Sequence, residues 1–308
     1  GKTRCCIVDG ISNMSDFVRQ SSFIAEFGTS EAWVILTPIE QSIKRKIESV
    51  GTPLKDWDIQ INYGIKTGFN EAFIISSEKR DEILANCADE QERTRTENLI
   101  RPILRGRDIK RYSYHWSGLW LIATFPSRHY DIEMYPAVKD YLLSNFGMER
   151  LEQTGNEYII KGEKVKARKK TNNKWFETQD SISYWEDFDK PKIIWGNLNL
   201  KPSYALAEGA FYVNAPSPMI VPASKYLLAI LNSKVGDYYI RNLGVTRNGG
   251  YFEYKPMFVE QLPVPIISED EQEALEIILS ESTQETIDSI IYSLYALSEQ
   301  EIEFIENQ

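Results

Sequence analysis

Apolar residues in this chain come in short bursts. Leu119-Trp120-Leu121-Ile122-Ala123, Lys192-Ile193-Ile194-Trp195 and Ala210-Phe211-Tyr212-Val213 each have the length of a buried strand. None approaches the ~18 consecutive apolar residues of a membrane span. Trp57, Ile59 and Ile61 alternate with polar residues, which predicts another strand. A glycine-bracketed turn over Gly64–Gly68 follows, with a returning strand at Ala72–Ile75. Helical patterns lie between these segments. Thr37-Pro38 opens one, with Ile39, Ile43 and Ile47 at helical spacing and Gly51 as its stop. Tyr135-Pro136 opens another that runs to about Phe146. Shorter helices are predicted at Lys79–Ala85, around Glu97–Ile100 and at Tyr226–Leu231. Cys5–Val8 reads as a strand, Asn13–Thr29 as an irregular connection, and Phe258–Pro265 as extended because its prolines discourage helix. Strands and helices mix irregularly rather than alternating, which predicts an α+β fold. With 308 residues, 42% of them hydrophobic, the chain has material for one large domain or two ordinary ones.

Charge is segregated. The net charge of −10 comes from 45 acids and 35 bases, yet no Lys or Arg follows Lys255. Twelve acids lie between Glu269 and Glu306; without them 33 acids face 35 bases. A near-neutral body with an acidic appendage is compatible with a polyanionic partner and does not require one. The acidic segment reads as two helices broken near Ser282. Ile287, Ile290, Ile291, Leu294 and Leu297 form its apolar face, expected to pack on the body. Docking of another subunit is the rival reading.

Several chemistries lack their residues. Cys5, Cys6 and Cys87 supply neither a disulfide framework nor a CxxC zinc pair, which points to a reducing cytoplasm. His115 and His129 are the only histidines, little material for a metal site or a His-based triad. The N-terminal residues carry no apolar secretion segment. Gly1-Lys2-Thr3 and Gly64–Gly68 both miss the GxxxxGK[ST] frame, and neither GxGxxG nor GxSxG occurs. Glu253-Tyr254-Lys255 has the ExK form found in metal nucleases, but such a triplet arises often by chance. No catalytic, cofactor-binding or metal-ligating residue is assigned.

Basic clusters are the positive signal. Lys161, Lys164, Lys166, Arg168, Lys169, Lys170 and Lys174 stand against the single acid Glu163, and Trp175-Phe176 follow at once. Lysines and arginines in such a run contact phosphates, and Trp175 can stack on a base. A solvated loop anchored by its aromatic pair fits the same residues. Arg101, Arg105, Arg107, Lys110 and Arg111 surround Gly106, where a glycine permits close backbone approach and arginine can read guanine. One of these arginines is expected to pair with Asp108 instead. Lys66, Thr67 and Asn70 sit at a glycine-flanked turn, and Arg247-Asn248-Gly249-Gly250 form a polar loop. Ordinary turn chemistry accounts for the first at least as well and for the second better.

Five blocks carry a resemblance: Gly64-Ile65-Lys66-Thr67-Gly68-Phe69-Asn70-Glu71-Ala72-Phe73, Ile100-Arg101-Pro102-Ile103-Leu104-Arg105-Gly106-Arg107-Asp108-Ile109, Lys192-Ile193-Ile194-Trp195, Leu227–Lys234, and Phe258–Pro265. In this order they resemble the TaqI-like C-terminal specificity domain. That domain follows the catalytic domain of adenine-specific DNA methyltransferases, including type IIG restriction–modification enzymes. The resemblance spans about Glu31 to the C-terminus. It implies a curved, mainly antiparallel sheet with flanking helices, and recognition of duplex DNA while a methyltransferase domain, in cis or as a separate subunit, flips out an adenine. S-adenosylmethionine is implied for that absent domain. The FxGxG-type loop and the Asn-Pro-Pro-Tyr-type site of the catalytic domain do not occur here; Ala215-Pro216-Ser217-Pro218 is the nearest string. The chain by itself is therefore expected to be non-catalytic. Residues 1–30 are expected to be a methyltransferase remnant or linker, 31–268 the recognition domain and 269–308 the tail. The DNA-facing residues expected are Lys66, Thr67, Asn70, Arg105, Arg107, Arg111, Lys164, Lys166, Arg168, Lys169, Lys170, Lys174, Trp175, Arg247 and Asn248. A self-contained nuclease or methyltransferase with unrecognised motifs, or a protein-interaction subunit, is the alternative.

Overall fold

Four antiparallel strands form a partition through the molecule. In the computed structural model their order is Tyr204–Ala207, Lys192–Trp195, Pro218–Val221 and Gln60–Tyr63. The structure describes residues 2–6, 22–26, 36–160 and 162–308. Lys192–Trp195 is buried at all four positions because both faces of this sheet are covered. Side chains alternate across it. Ile193, Trp195, Tyr204 and Ile220 enter one core, built with the helices Pro38–Val50, Lys225–Asn232 and Gln284–Leu294. Ile194, Ala205, Ala207 and Met219 enter the other, shared with a second sheet ordered Tyr212–Val213, Ile100–Leu104, Leu119–Ile122 and Ile74–Ser76. Only the Tyr212–Val213 pairing is parallel there. The fold is thus α+β and mainly antiparallel, with two central sheets of four strands and, among the described residues, five further two-stranded pairings.

The α-helical expectations at Pro38 and Pro136 are met at their prolines. Pro38–Val50 carries a capping box between Thr37 and Glu40 and closes at Gly51. Pro136–Phe146 ends at Gly147. Elsewhere local geometry departs from the pattern. No hairpin joins the strand after Trp57 to Ala72–Ile75. Gly64 N–H donates to Ser217 O, and Ile65 bridges Asn214, so the chain leaves the first sheet. Asn70–Phe73 then forms a helical turn and Ile74–Ser76 joins the second sheet. The helix expected near Glu97 begins at Glu90, capped by Asp89, and ends at Leu99, where Ile100 starts a strand. Within Phe258–Pro265 only Pro263–Val264 is a strand, because Pro256 opens a short helical turn that ends at Val259.

The acidic segment forms three helices, Glu269–Glu281, Gln284–Leu294 and Glu299–Glu306. Ile287 and Ile291 are buried in the body, and Ile290, Leu294 and Leu297 pack against the same core. Near the N-terminus Lys2–Cys5 pairs with Phe23–Glu26. Ile7 and Val8 of the expected first strand, and most of the connection Asn13–Thr29, lie outside the described residues, as does Lys161.

Candidate nucleic-acid interface

Three loops leaving the two sheets meet at glycines. A Cβ on Gly64 would stand 2.5 Å from Val213 O and 2.6 Å from Ser217 O. One on Gly106 would stand 2.8 Å from Ser217 Oγ and 3.5 Å from Gly196 Cα. A larger residue at Gly64 forces these backbones apart, and one at Gly106 displaces the Ser217 side chain. The Lys66 loop, the Arg105–Asp108 turn and the Gly196–Asn199 loop therefore all leave from one junction.

The Arg105–Asp108 turn spends its first arginine internally. Arg105 donates from Nε and Nη2 to the Asp108 carboxylate at 3.1 Å each, and from Nη2 to Ser117 Oγ at 2.8 Å. Its backbone N–H also reaches Asp108, at 2.8 Å. Burial pushes the Asp108 carboxyl upward, but the Arg105 hydrogen bonds outweigh it and hold the pKa below the usual range. Arg105 is thus the arginine expected to pair, and the structure removes it from the free basic surface. Arg107, on the same turn, is exposed.

Arg168 is the larger correction. It is 5% exposed, and its guanidinium meets four carbonyls and no acid. Nη2 donates to Thr67 O and Glu177 O at 2.7 Å; Nη1 donates to Trp175 O at 3.1 Å and Leu151 O at 3.3 Å. Burial lowers its pKa to about 10, so it stays charged at neutral pH. Placed this way it reaches no phosphate. It ties the Lys66–Thr67 loop, the Leu151 turn and the Trp175–Glu177 segment into one piece. Thr67 is also buried, its hydroxyl donating to Asn70 Oδ1 at 2.6 Å and accepting from Phe69 N–H at 3.1 Å. Arg111 donates to Asn232 O at the end of the Lys225–Asn232 helix. Trp175 is half-buried and meets Phe176 edge-on at 5.4 Å, which favours the anchoring reading of that aromatic pair.

The lysines behave differently. Glu157–Ile160 and Glu163–Lys166 pair as a hairpin, with Glu157 opposite Lys166. Lys164 and Lys166 share one face, and Lys164 pairs with Glu157 at 2.6 Å. Lys166, Lys169, Lys170 and Lys174 are exposed, and Lys66 is exposed on the loop that Arg168 holds against this segment. Asn70 is exposed beside Lys66. Arg150, which the sequence reading missed, lies 4.8 Å over Phe69 and pairs with Glu71 at 3.6 Å. It is separated from Lys66 along the chain and belongs to no charge run, so only the fold places it here.

At the other loop cluster, Leu198–Asn199 pairs with Phe252–Glu253. Arg247 donates to Glu253 at 2.8 Å, and Lys255 holds the same carboxylate at 2.8 Å. The ExK triplet is accounted for by these ion pairs, with Tyr254 buried between them. Asn248 is exposed on the loop above. Among the described residues no group of three His, Cys, Asp or Glu side chains is arranged to hold a metal, and no helix is long and apolar enough to cross a membrane.

The model of the TaqI-like C-terminal specificity domain matches residues 101–264. The type II methyltransferase M.BstVI of Geobacillus stearothermophilus is 26% identical over 292 residues, covering 91% of this chain and 47% of that protein. The chain thus spans about half the length of this curated relative. Among solved structures, the type IIL restriction–modification enzyme MmeI in complex with DNA superposes with a TM-score of 0.52 at 13% identity, covering 83% of this chain and 36% of that one. The type IIG restriction endonuclease BpuSI gives 0.52 at 12%, covering 87% and 31%. At these identities both speak for the fold alone.

Proposed function

The chain belongs to the TaqI-like C-terminal specificity domain family, and from that premise we propose that it recognises duplex DNA for a larger methyltransferase or restriction–modification enzyme. The observation that carries the reading is the division of labour around Arg168. One buried arginine fixes the Lys66 loop to the basic segment, and the lysines around it stay exposed. Lys66, Lys166, Lys169, Lys170 and Lys174 hold phosphates and set the register on the duplex. Arg107, Asn70 and Asn248 are the exposed side chains with base-reading chemistry: arginine suits guanine and asparagine suits adenine. Lys164 joins them after releasing Glu157.

Residues 31–268 are the recognition unit, with 269–308 packed on it. The methyl transfer to adenine and the S-adenosylmethionine site belong to the catalytic domain of the parent enzyme, in the cytoplasm. This chain's residues bind and orient the duplex and move no methyl group. Saturable binding of S-adenosylmethionine by this chain alone would overturn that assignment.

The test is fluorescence anisotropy with random duplex at several salt concentrations. The slope of log affinity against log salt is expected to be about −0.9 per phosphate contacted. Reversing Lys166, Lys169 and Lys170 to Glu is expected to weaken binding at least tenfold and to flatten that slope by about 2 to 3. Unchanged affinity would sink the assignment of this segment to DNA.

A further inference from the structure

A cleft containing none of the residues assigned above encloses about 350 Å³, within the roughly 300–1,000 Å³ of small-ligand pockets. Phe125 and Tyr212, stacked at 5.9 Å, are among its lining residues. Three guanidiniums line it. Arg101 pairs with Asp189 and lies 5.5 Å over the Tyr212 ring. Among the described residues Arg95 and Arg128 pair with no carboxylate. Arg95 donates, among the described residues, to Met134 O, at 3.4 Å from Nε and from Nη2. Arg128 stacks 3.7 Å over Trp185 and 5.4 Å from Tyr130.

Elsewhere among the described residues Arg80, Arg93, Arg105, Arg150, Arg241 and Arg247 each pair with an acid, whereas Arg111 and Arg168 donate to backbone carbonyls. Gathering two uncompensated guanidiniums beside a third is repulsive, and an incoming anion relieves it. Contact with the Trp185 ring holds the Arg128 guanidinium at the cleft, and a guanidinium suits a bidentate acceptor. Burial raises the pKa values of Tyr130 and Tyr135, so both hydroxyls remain donors at neutral pH. Arg101 Nε is buried with no hydrogen-bond partner.

We propose that this cleft is a phosphate-binding site, with Arg95 and Arg128 on the phosphate oxygens and the Tyr130 and Tyr135 hydroxyls beside them. Its ligand is a phosphate ester, supplied by a free nucleotide or by a nucleic-acid backbone. Two uncompensated positive charges match a phosphate better than a single carboxylate.

The experiment uses the full chain in two arms. Adenosine monophosphate is titrated by calorimetry at low salt, and duplex DNA by anisotropy across salt. The Arg95→Gln/Arg128→Gln double variant is compared with wild type, with thermal melting to confirm that it folds. Arg128→Lys keeps the charge and removes the bidentate edge, and is expected to restore only part of the affinity. At least a tenfold loss is expected in one arm. Loss of the mononucleotide alone identifies a nucleotide site. Loss for duplex, with a salt slope flatter by about 2, identifies a backbone clamp. A folded double variant that matches wild type in both arms, or a wild type that binds neither probe, overturns the proposal. Absence of duplex binding by wild type would count against the DNA-recognition reading and leave the mononucleotide arm to decide this one.

Discussion

The basic segment up to Lys174 and the acidic helices after Ser268 are opposites in charge and alike in construction. Each buries one or two ions in the scaffold and leaves most of the others to solvent. In the basic segment the ion is Arg168, whose Nη1 and Nη2 donate to four backbone carbonyls. In the acidic segment they are Asp288, which accepts from Lys234 N–H at 2.9 Å, and Glu301, which accepts from Ser42 Oγ and Lys46 Nζ at 2.6 Å and from Ser298 N–H at 2.7 Å. A run of like charge in a sequence therefore mixes two populations, and the fold sorts them by burial. Arginine suits the inner position because its planar fork meets several acceptors at once, whereas lysine keeps a compact, well-hydrated charge outside.

The sharpest way to break this comparison is to remove the inner ion from the basic side. Arg168→Met keeps much of the side-chain volume over the Phe73 ring, 4.8 Å away, and takes the guanidinium from four carbonyls, of which Thr67 O keeps Gln179 N–H and Glu177 O keeps Gln153 Nε2 while Trp175 O and Leu151 O lose this donor. Leaving buried polar groups unpaired is expected to cost about 3–5 kcal/mol, read from urea unfolding. If Arg168→Met unfolds like wild type and weakens only duplex binding, Arg168 belongs with the DNA contacts and the division fails.

Glu301 gives the next effect. Burial pushes its carboxyl up, but Lys46, Ser298 and Ser42 pull harder and bring the pKa to about 2, from 4.5 unfolded. A carboxylate depressed on folding contributes stability that is complete above the unfolded value and is lost as pH falls from 4.5 towards 2. The loss is expected to be about 2 kcal/mol in wild type over that window. Glu301→Gln is expected to remove most of the stability difference at pH 7 and to flatten the curve between pH 5 and 2. A variant that keeps the wild-type acid profile would assign the tail's attachment to its apolar face alone.

The sequence made some of this legible and hid the rest for identifiable reasons. Helices opened by Thr37-Pro38 and Tyr135-Pro136 were readable because capping and proline chemistry are local. Lys192–Trp195 was readable as a strand because both its faces are covered. The split into two sheets was not, since it depends on Gly64 meeting Val213 and Ser217 far along the chain. The same limit applies to the site. Lys166, Lys169 and Lys170 were read as exposed cations and are. Arg168 sits among them in the sequence, and nothing in its neighbours announces that Thr67 O, a hundred residues earlier, is its partner. Arg128 and Trp185 meet only through the fold.

The smallest test concerns the hairpin, where the outer population is itself divided. Lys164 and Lys166 share a face, and Glu157 opposes Lys166 in register while bonding Lys164. The pair is exposed, at 72% and 47% of the side-chain surfaces, so it contributes little to stability, about 0–1 kcal/mol. Its acid nevertheless competes with any phosphate for Lys164. Glu157→Ala frees one lysine and removes one negative charge from the hairpin face. It is therefore expected to leave urea stability unchanged within about 0.5 kcal/mol and to tighten duplex binding about two- to threefold at low salt, with a slope steeper by about one contact. Lys164→Ala in the same assay is expected to fall by no more than that factor, because in wild type the lysine must first leave Glu157. An affinity indifferent to Glu157→Ala, Lys164→Ala and Lys166→Ala alike would move the DNA contact off the hairpin and onto Lys169, Lys170 and the Lys66 loop.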